Sequence, residues 1–229
     1  MKDHVWKIIL VAVVILMGSA FWYSHVAGLK ANEGVVITPH TKVGAHSKIT
    51  LTEYADFQCP ACGQFYPVVK NVLEKHGSEM TFEFKNFPLS SVHQFAISAA
   101  KAAEAAGQQG KFFQMYDKLF ENQTTWSQSA TPQAFFTKYA EELGLNMTLF
   151  KQHSRASVLE DHIKAQFDEA RGLGLTGTPS FYLNGKKLEF NTIDEFNGKI
   201  ESALGITSSS TDTLKSDVQF GLPSDLQAI

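Results

Sequence analysis

The chain has 229 residues, 44% of them hydrophobic and 18 of them phenylalanine, enough for one sizeable packed core. A formal net charge of -3 argues against nucleic acid as the main partner, because phosphate binding requires a basic surface. The two cysteines, Cys59 and Cys62, sit too close together to form the scattered framework of a disulfide-stapled secreted domain.

Lys2 and Lys7 precede an uncharged stretch from Ile8 to Tyr23. Within residues 1–24 this is the pattern of a signal anchor or a signal peptide. As a helix the 16 residues span roughly 24 Å, somewhat short of a bilayer core of about 30 Å. Trp6 on one side and Trp22 with Tyr23 on the other suit the two membrane interfaces and favour an anchor. Gly18-Ser19-Ala20, by contrast, offers small residues to a signal peptidase. A buried helix of a soluble protein is the third reading, weakened by the lack of apolar periodicity. The leading lysines would stay cytoplasmic, which puts the rest outside the cell membrane, or in the periplasm or medium if the segment is cut. Residues 25–46 carry Gly28, Gly34, Pro39 and Gly44 and few bulky apolar side chains, and read as a spacer.

The folded domain is expected over 47–206. Lys48 to Tyr54 alternates as a strand does, with Ile49, Leu51 and Glu53 sharing one side. A helix runs from Cys59 to about His76 and stops at Gly77. Met80, Phe82 and Phe84 mark a second strand, ending near Pro88. A helical insertion follows over about 89–172, with helices at Val92–Ala106 and Lys111–Glu121, one opened by Thr131-Pro132, and one from Ala156 to Ala170. Ser180–Leu183 and Lys186–Phe190 flank Asn184-Gly185, a type I′ hairpin signal. Thr192 and Glu195 form a capping box for a last helix that ends at Gly205. Residues 207–229 read as a flexible tail. This order predicts an α/β domain with one sheet, helices on both sides and a helical insertion in its middle.

Cys59-Pro60-Ala61-Cys62 falls just after a strand, at the start of a helix. With Cys59 as N-cap, Pro60 takes the first helical position, where its missing N–H costs nothing. The free N–H groups of Ala61 and Cys62 and the positive end of the helix dipole then favour a thiolate on Cys59. Such a cysteine both attacks and leaves readily in disulfide exchange, and Cys62, one turn on, is placed to resolve a mixed disulfide. Zinc would need two further ligands, yet no other cysteine exists and the eight histidines are scattered. A structural disulfide across so short a loop would add little. Glu53 is either a carboxyl buried on the apolar side, with a raised pKa, or a strand-end carboxylate that reaches solvent. Pro179 in Gly177-Thr178-Pro179 reads by default as the start of a strand, whereas a cis bond there would offer Thr178 backbone groups to an extended peptide. His93, after Pro88-Leu89-Ser90-Ser91, either lies near the site or, by default, is a surface residue at a helix start.

Glu53 through Cys62 (EYADFQCPAC), Phe87-Pro88-Leu89, Gln109-Gly110-Lys111-Phe112 and Thr176 through Phe181 together resemble the DsbA-like thioredoxin domain proteins. The likeness covers about Ser47 to Leu204. It implies a thioredoxin fold with a helical insertion, Cys59 as the attacking cysteine, Cys62 as the resolving one, Pro179 as the cis-proline facing them and Glu53 as the buried acid. It further implies oxidation of cysteine pairs in exported proteins, with reoxidation by a membrane redox partner and no cofactor beyond the Cys59–Cys62 disulfide. One position departs from the best known members: Ala61 stands where they carry histidine, so a donor to the thiolate is missing and a less oxidising couple is expected. A reductase or isomerase using the same site, and a non-catalytic membrane-tethered binding module, remain the alternatives.

Overall fold

The computed structural model describes residues 2–206, so the tail expected over 207–229 lies outside the described residues. The first helix, α1 (Lys2–Asn32), runs through the apolar stretch and on past Gly28, so part of the expected spacer is helical. Gly28 does not break it, because Ala27, Leu29 and Ala31 around it are good helix formers. Among the described residues α1 is the one helix long and apolar enough to cross a membrane. The side chains from Ile9 to Tyr23 are exposed, whereas Ala31 is buried.

A second correction to the spacer is β1 (His40–Val43), which pairs antiparallel with β3 (Met80–Asn86) and forms one edge of the sheet. Only His40 of its four residues is buried, so the segment carries no alternation that a sequence pattern could reveal. Next to β3 and parallel to it lies β2 (Ile49–Ala55), with α2 (Pro60–His76) as the crossover between them. β4 (Ser180–Leu183) pairs antiparallel with the other side of β2, and β5 (Lys186–Lys187) closes the far edge, giving the order β1-β3-β2-β4-β5. β2 is therefore central and covered on both faces. Tyr54 packs with Phe87, Ala170 and Leu175, while Ile49 and Leu51 belong to the main core shared with α2 and the helical insertion.

The insertion holds α3 (Ala96–Gly107), α4 (Phe112–Glu121), α5 (Gln123–Ser127), α6 (Pro132–Glu142), α7 (Met147–His153) and α8 (Ser157–Gly172). The short helices α5 and α7 are absent from the sequence reading, and α3 begins at Ala96 rather than Val92. The cause of the later start is local. The backbone N–H groups of Leu89 and Phe95 donate to the Asp56 and Gln58 side chains, which holds 88–95 as a loop over the β2–α2 turn.

Asn184 (φ 51°) and Gly185 (φ 76°) make the expected hairpin turn, but β5 stops at Lys187 instead of Phe190. Phe190 leaves the ladder to pack against Phe65, Phe181 and Phe196. α9 (Ile193–Leu204) is capped by Thr192, whose hydroxyl accepts from the Glu195 N–H at 3.1 Å. Glu195 does not complete the box, because its carboxylate accepts from the Asn191 N–H instead.

Candidate active site

The four residues between β2 and α2 form a turn in which the Cys59 N–H donates to the Asp56 carbonyl at 3.1 Å. Cys59 is the N-cap of α2, with extended backbone (φ -66°, ψ 121°), and Pro60 opens the helix. Both cysteines are free thiols, Cys59 buried with a small exposed remainder and Cys62 wholly buried. The Cys59 thiol donates to the Thr178 carbonyl at 3.4 Å, which brings the loop before β4 over the helix start. The Thr178–Pro179 bond is cis, and the Thr178 hydroxyl is buried without a hydrogen-bonding partner.

The two sulfurs are driven apart in acidity. Hydrogen bonding from the Cys62 thiol is the main cause that brings Cys59 down from 9.0 to about 6. Burial acts against this, and Thr178 and the Cys62 backbone N–H act with it. Burial pushes Cys62 well above 9.0, and its hydrogen bond to Cys59 adds to the rise. Ala61 contributes a methyl group only, so no side-chain donor from within the dipeptide reaches the thiolate.

Glu53 is fully buried, paired across the sheet with Phe84 and Phe181. That excludes the reading of a strand-end carboxylate in solvent. Burial raises its carboxyl from 4.5 to about 8, opposed by a hydrogen bond that the Tyr116 hydroxyl donates to Oε2 at 3.0 Å. Its Oε1 has no partner.

Further groups support the turn. The Gln123 amide donates to the carbonyls of Phe57 and Cys59. The buried Asp56 carboxylate accepts from the N–H groups of Gln58 and Leu89 and pairs with His93 Nδ1 at 2.7 Å. His93 is thus mostly buried beside the turn and held by Asp56 above the usual imidazole range, the first of its two readings and not the surface one. Tyr116 reaches Glu53 and Gln123 reaches the turn from 63 and 66 residues away in sequence, and no local pattern announces either. Among the described residues, no group of three or more His, Cys, Asp or Glu side chains is assembled to hold a metal ion.

A family model described as thioredoxin matches residues 40–202. Among curated proteins, the Na(+)/H(+) antiporter NhaA 3 of Salinispora tropica is 34% identical over 167 residues, covering 69% of this chain and 25% of its own length. NhaA 1 of Salinispora arenicola is 34% identical over 148 residues, or 65% and 22% of the two chains. The chain thus spans about a quarter of the length of the curated relatives it matches, and the antiporter name describes those longer proteins. Among solved structures, Wolbachia pipientis α-DsbA1 superposes with a TM-score of 0.63 at 23% identity, over 76% of this chain and 96% of its own. Bacillus subtilis BdbD gives 0.61 at 21% identity, over 72% and 92% of the two chains. Pseudomonas aeruginosa DsbA2 gives 0.57 at 20% identity, over 79% and 99%. The likeness to these three is one of fold. Matched over most of its length and built with six helices between its third and fourth strands, the chain belongs to the thioredoxin family and has the DsbA-like form of its fold.

Proposed function

We propose that this protein is a thiol–disulfide oxidoreductase that oxidises cysteine pairs in exported proteins, with Cys59 and Cys62 as its redox group and no further cofactor. The observation that carries the reading is the opposite displacement of two thiols one helical turn apart, Cys59 to about 6 and Cys62 well above 9.0. A client thiolate attacks Cys59 in the oxidised pair, and the Cys59–Cys62 bond breaks as the mixed disulfide forms. Cys62 leaves with the electron pair and takes a proton, and the Glu53 carboxyl, kept protonated near neutral pH by burial, is the acid we assign to supply it. The client's second thiolate attacks its own sulfur in the mixed disulfide and expels Cys59 as a stable thiolate. Two electrons have then passed from client to enzyme, and a disulfide-bearing membrane protein takes them up to restore the pair. The Thr178 backbone beside Cys59 supports recognition of an extended client segment.

The apolar helix α1 supports attachment to a cell membrane with the domain outside the cytoplasm, Lys2 and Lys7 remaining within. Ala61 favours a second direction of use. Without a side-chain donor at this position the couple is less oxidising than that of DsbA, roughly -120 mV, and isomerase or reductase activity comes within reach. Equilibration of the reduced and oxidised protein against glutathione buffers tests both. A potential near or above roughly -200 mV is expected; one near roughly -270 mV would assign a reductase, and no reversible couple would leave a binding module.

A further inference from the structure

A carboxyl group buried with one oxygen bonded and the other bare has a direction. Glu53 Oε2 accepts from the Tyr116 hydroxyl at 3.0 Å, while Oε1 is buried and has no partner. In a protonated carboxyl the carbonyl oxygen is the better acceptor, so a donor fixed at Oε2 leaves the hydroxyl proton on Oε1. We infer that Tyr116 is a positioning residue for this acid: its hydroxyl holds Oε2 and leaves Oε1 as the oxygen that carries the proton and passes it on. The inference rests on Glu53 serving the cysteine pair as proposed above.

The donor itself is fixed in place. Phe57, Phe84 and Phe120 pack edge-on against the Tyr116 ring with centroids 6.0, 5.2 and 4.9 Å away, which sets the line of its hydroxyl. Burial, with the Glu53 charge second, keeps that hydroxyl protonated well beyond the usual tyrosine range. No rival donor faces Glu53 across the sheet, where its register partners are Phe84 and Phe181. The other groups acting on Tyr116 are Asp117 beside it on α4 and Tyr66 on α2. With Tyr66, Lys70 and Asp117, Tyr116 also lines a cleft of about 290 Å³.

The proton accounting is simple. When a client thiolate breaks the Cys59–Cys62 bond, Cys62 leaves as a thiolate, and the Oε1 proton reaches it through one intervening water, since Oε1 has no hydrogen-bonding partner in the protein itself. Glu53 becomes a carboxylate, which the Tyr116 hydrogen bond stabilises until solvent returns a proton.

The test is the titration of the Glu53 carboxyl in the full-length reduced protein, read by infrared difference against Glu53→Gln. Tyr116→Phe should move it upward from about 8 by about one pH unit, since a donor to the carboxylate is lost. Replacing Tyr116 by 3-fluorotyrosine, a stronger donor of nearly the same size that keeps the packing intact, should move it downward. The pH at which the reaction of the oxidised enzyme with dithiothreitol breaks should follow both shifts. A carboxyl titration unmoved in the fluorotyrosine protein would make Tyr116 a packing residue only and overturn the inference. A shifted titration with an unshifted rate break would show Tyr116 holding an acid that does not serve the cysteines. That would overturn the proton transfer while leaving the redox reading to its own measurement of potential.

Discussion

Gln123 clamps the turn that carries Cys59: its amide nitrogen lies 2.8 Å from the carbonyls of both Phe57 and Cys59. The clamp needs a glycine beneath it, because a Cβ on Gly63 would stand 2.2 Å from Gln123 Oε1. The first turn of α2 and the short helix α5 are therefore built against each other, at the site itself.

Gln123→Ala should cost about 2 kcal/mol, the penalty of a buried carbonyl left without its donor. Gly63→Ala should cost about 1–3 kcal/mol by overpacking against a side chain that two hydrogen bonds hold in place. In the double variant the added methyl meets no amide, so urea unfolding should give a loss smaller than the sum. Strict additivity would show that the two residues do not act on each other.

The separation of the thiols predicts how the potential varies with pH. Below about 6 two protons accompany two electrons, and the potential should fall by about 59 mV per pH unit. Above it Cys59 is a thiolate and Cys62 still protonated, so the slope should halve to about 30 mV. Because the folded value of Cys59 is depressed, its contribution to the reduced fold is complete above 9.0 and is lost as pH falls through about 6. Redox titrations at several pH values check the break, and alkylation of Cys59 alone in the native protein should share its midpoint.

Ala61→His should restore a donor beside the thiolate. A tenfold gain in thiolate stability corresponds to about 30 mV, so the potential should rise by that order while the Cys59 midpoint falls by about one pH unit. The two shifts must move together. A lowered midpoint at constant potential would place the imidazole's effect equally on the oxidised form.

Glu53 weakens the fold that contains it. Its folded value, about 8, lies above its usual 4.5, so the burden is absent below 4.5, grows as pH rises and is complete above about 8. At pH 7 it amounts to about 3 kcal/mol. The stability advantage of Glu53→Gln over the native protein should increase by that amount between pH 4.5 and pH 7, as denaturant unfolding at both values will read.

Much of this arrangement is written locally. Cys59 through Cys62 declares its place because strand alternation ends before it and a proline follows the first cysteine. The phase of Glu53 follows from Ile49 and Leu51. Asn184-Gly185 dictates its turn because both residues accept positive φ. What escapes the sequence is what depends on distant partners. His40 is buried only because the fold supplies Glu104 at 2.7 Å and a stacked Phe112, so β1 looks like linker. Val92 to Phe95 would pass for helix if the Asp56 and Gln58 side chains did not capture the loop. Tyr116 and Gln123 read as ordinary helix residues until their helices are packed against the β2–α2 turn.

The edge strand gives a further expectation. A fragment beginning at Glu33 keeps His40 with Glu104, whereas one beginning at Lys48 leaves that buried carboxyl with Asn86 alone. The shorter fragment should be less stable by about 1–3 kcal/mol from the lost hydrogen bond to that carboxyl. Thermal unfolding of the two fragments makes the comparison.

The C-terminal end of α1 is gripped by the insertion. Asn32 donates to Ser157, Gln152 donates to the carbonyls of Lys30 and Glu33, and Gln108 exchanges two hydrogen bonds with the Val36 backbone. About ten ångströms of helix separate Tyr23 from Lys30. For a helix embedded as proposed, that union works as a short post and not as a leash. The redox pair then patrols a thin layer at a set height and bearing above the lipid, and its clients must arrive there, as chains do when they emerge from the membrane still unfolded.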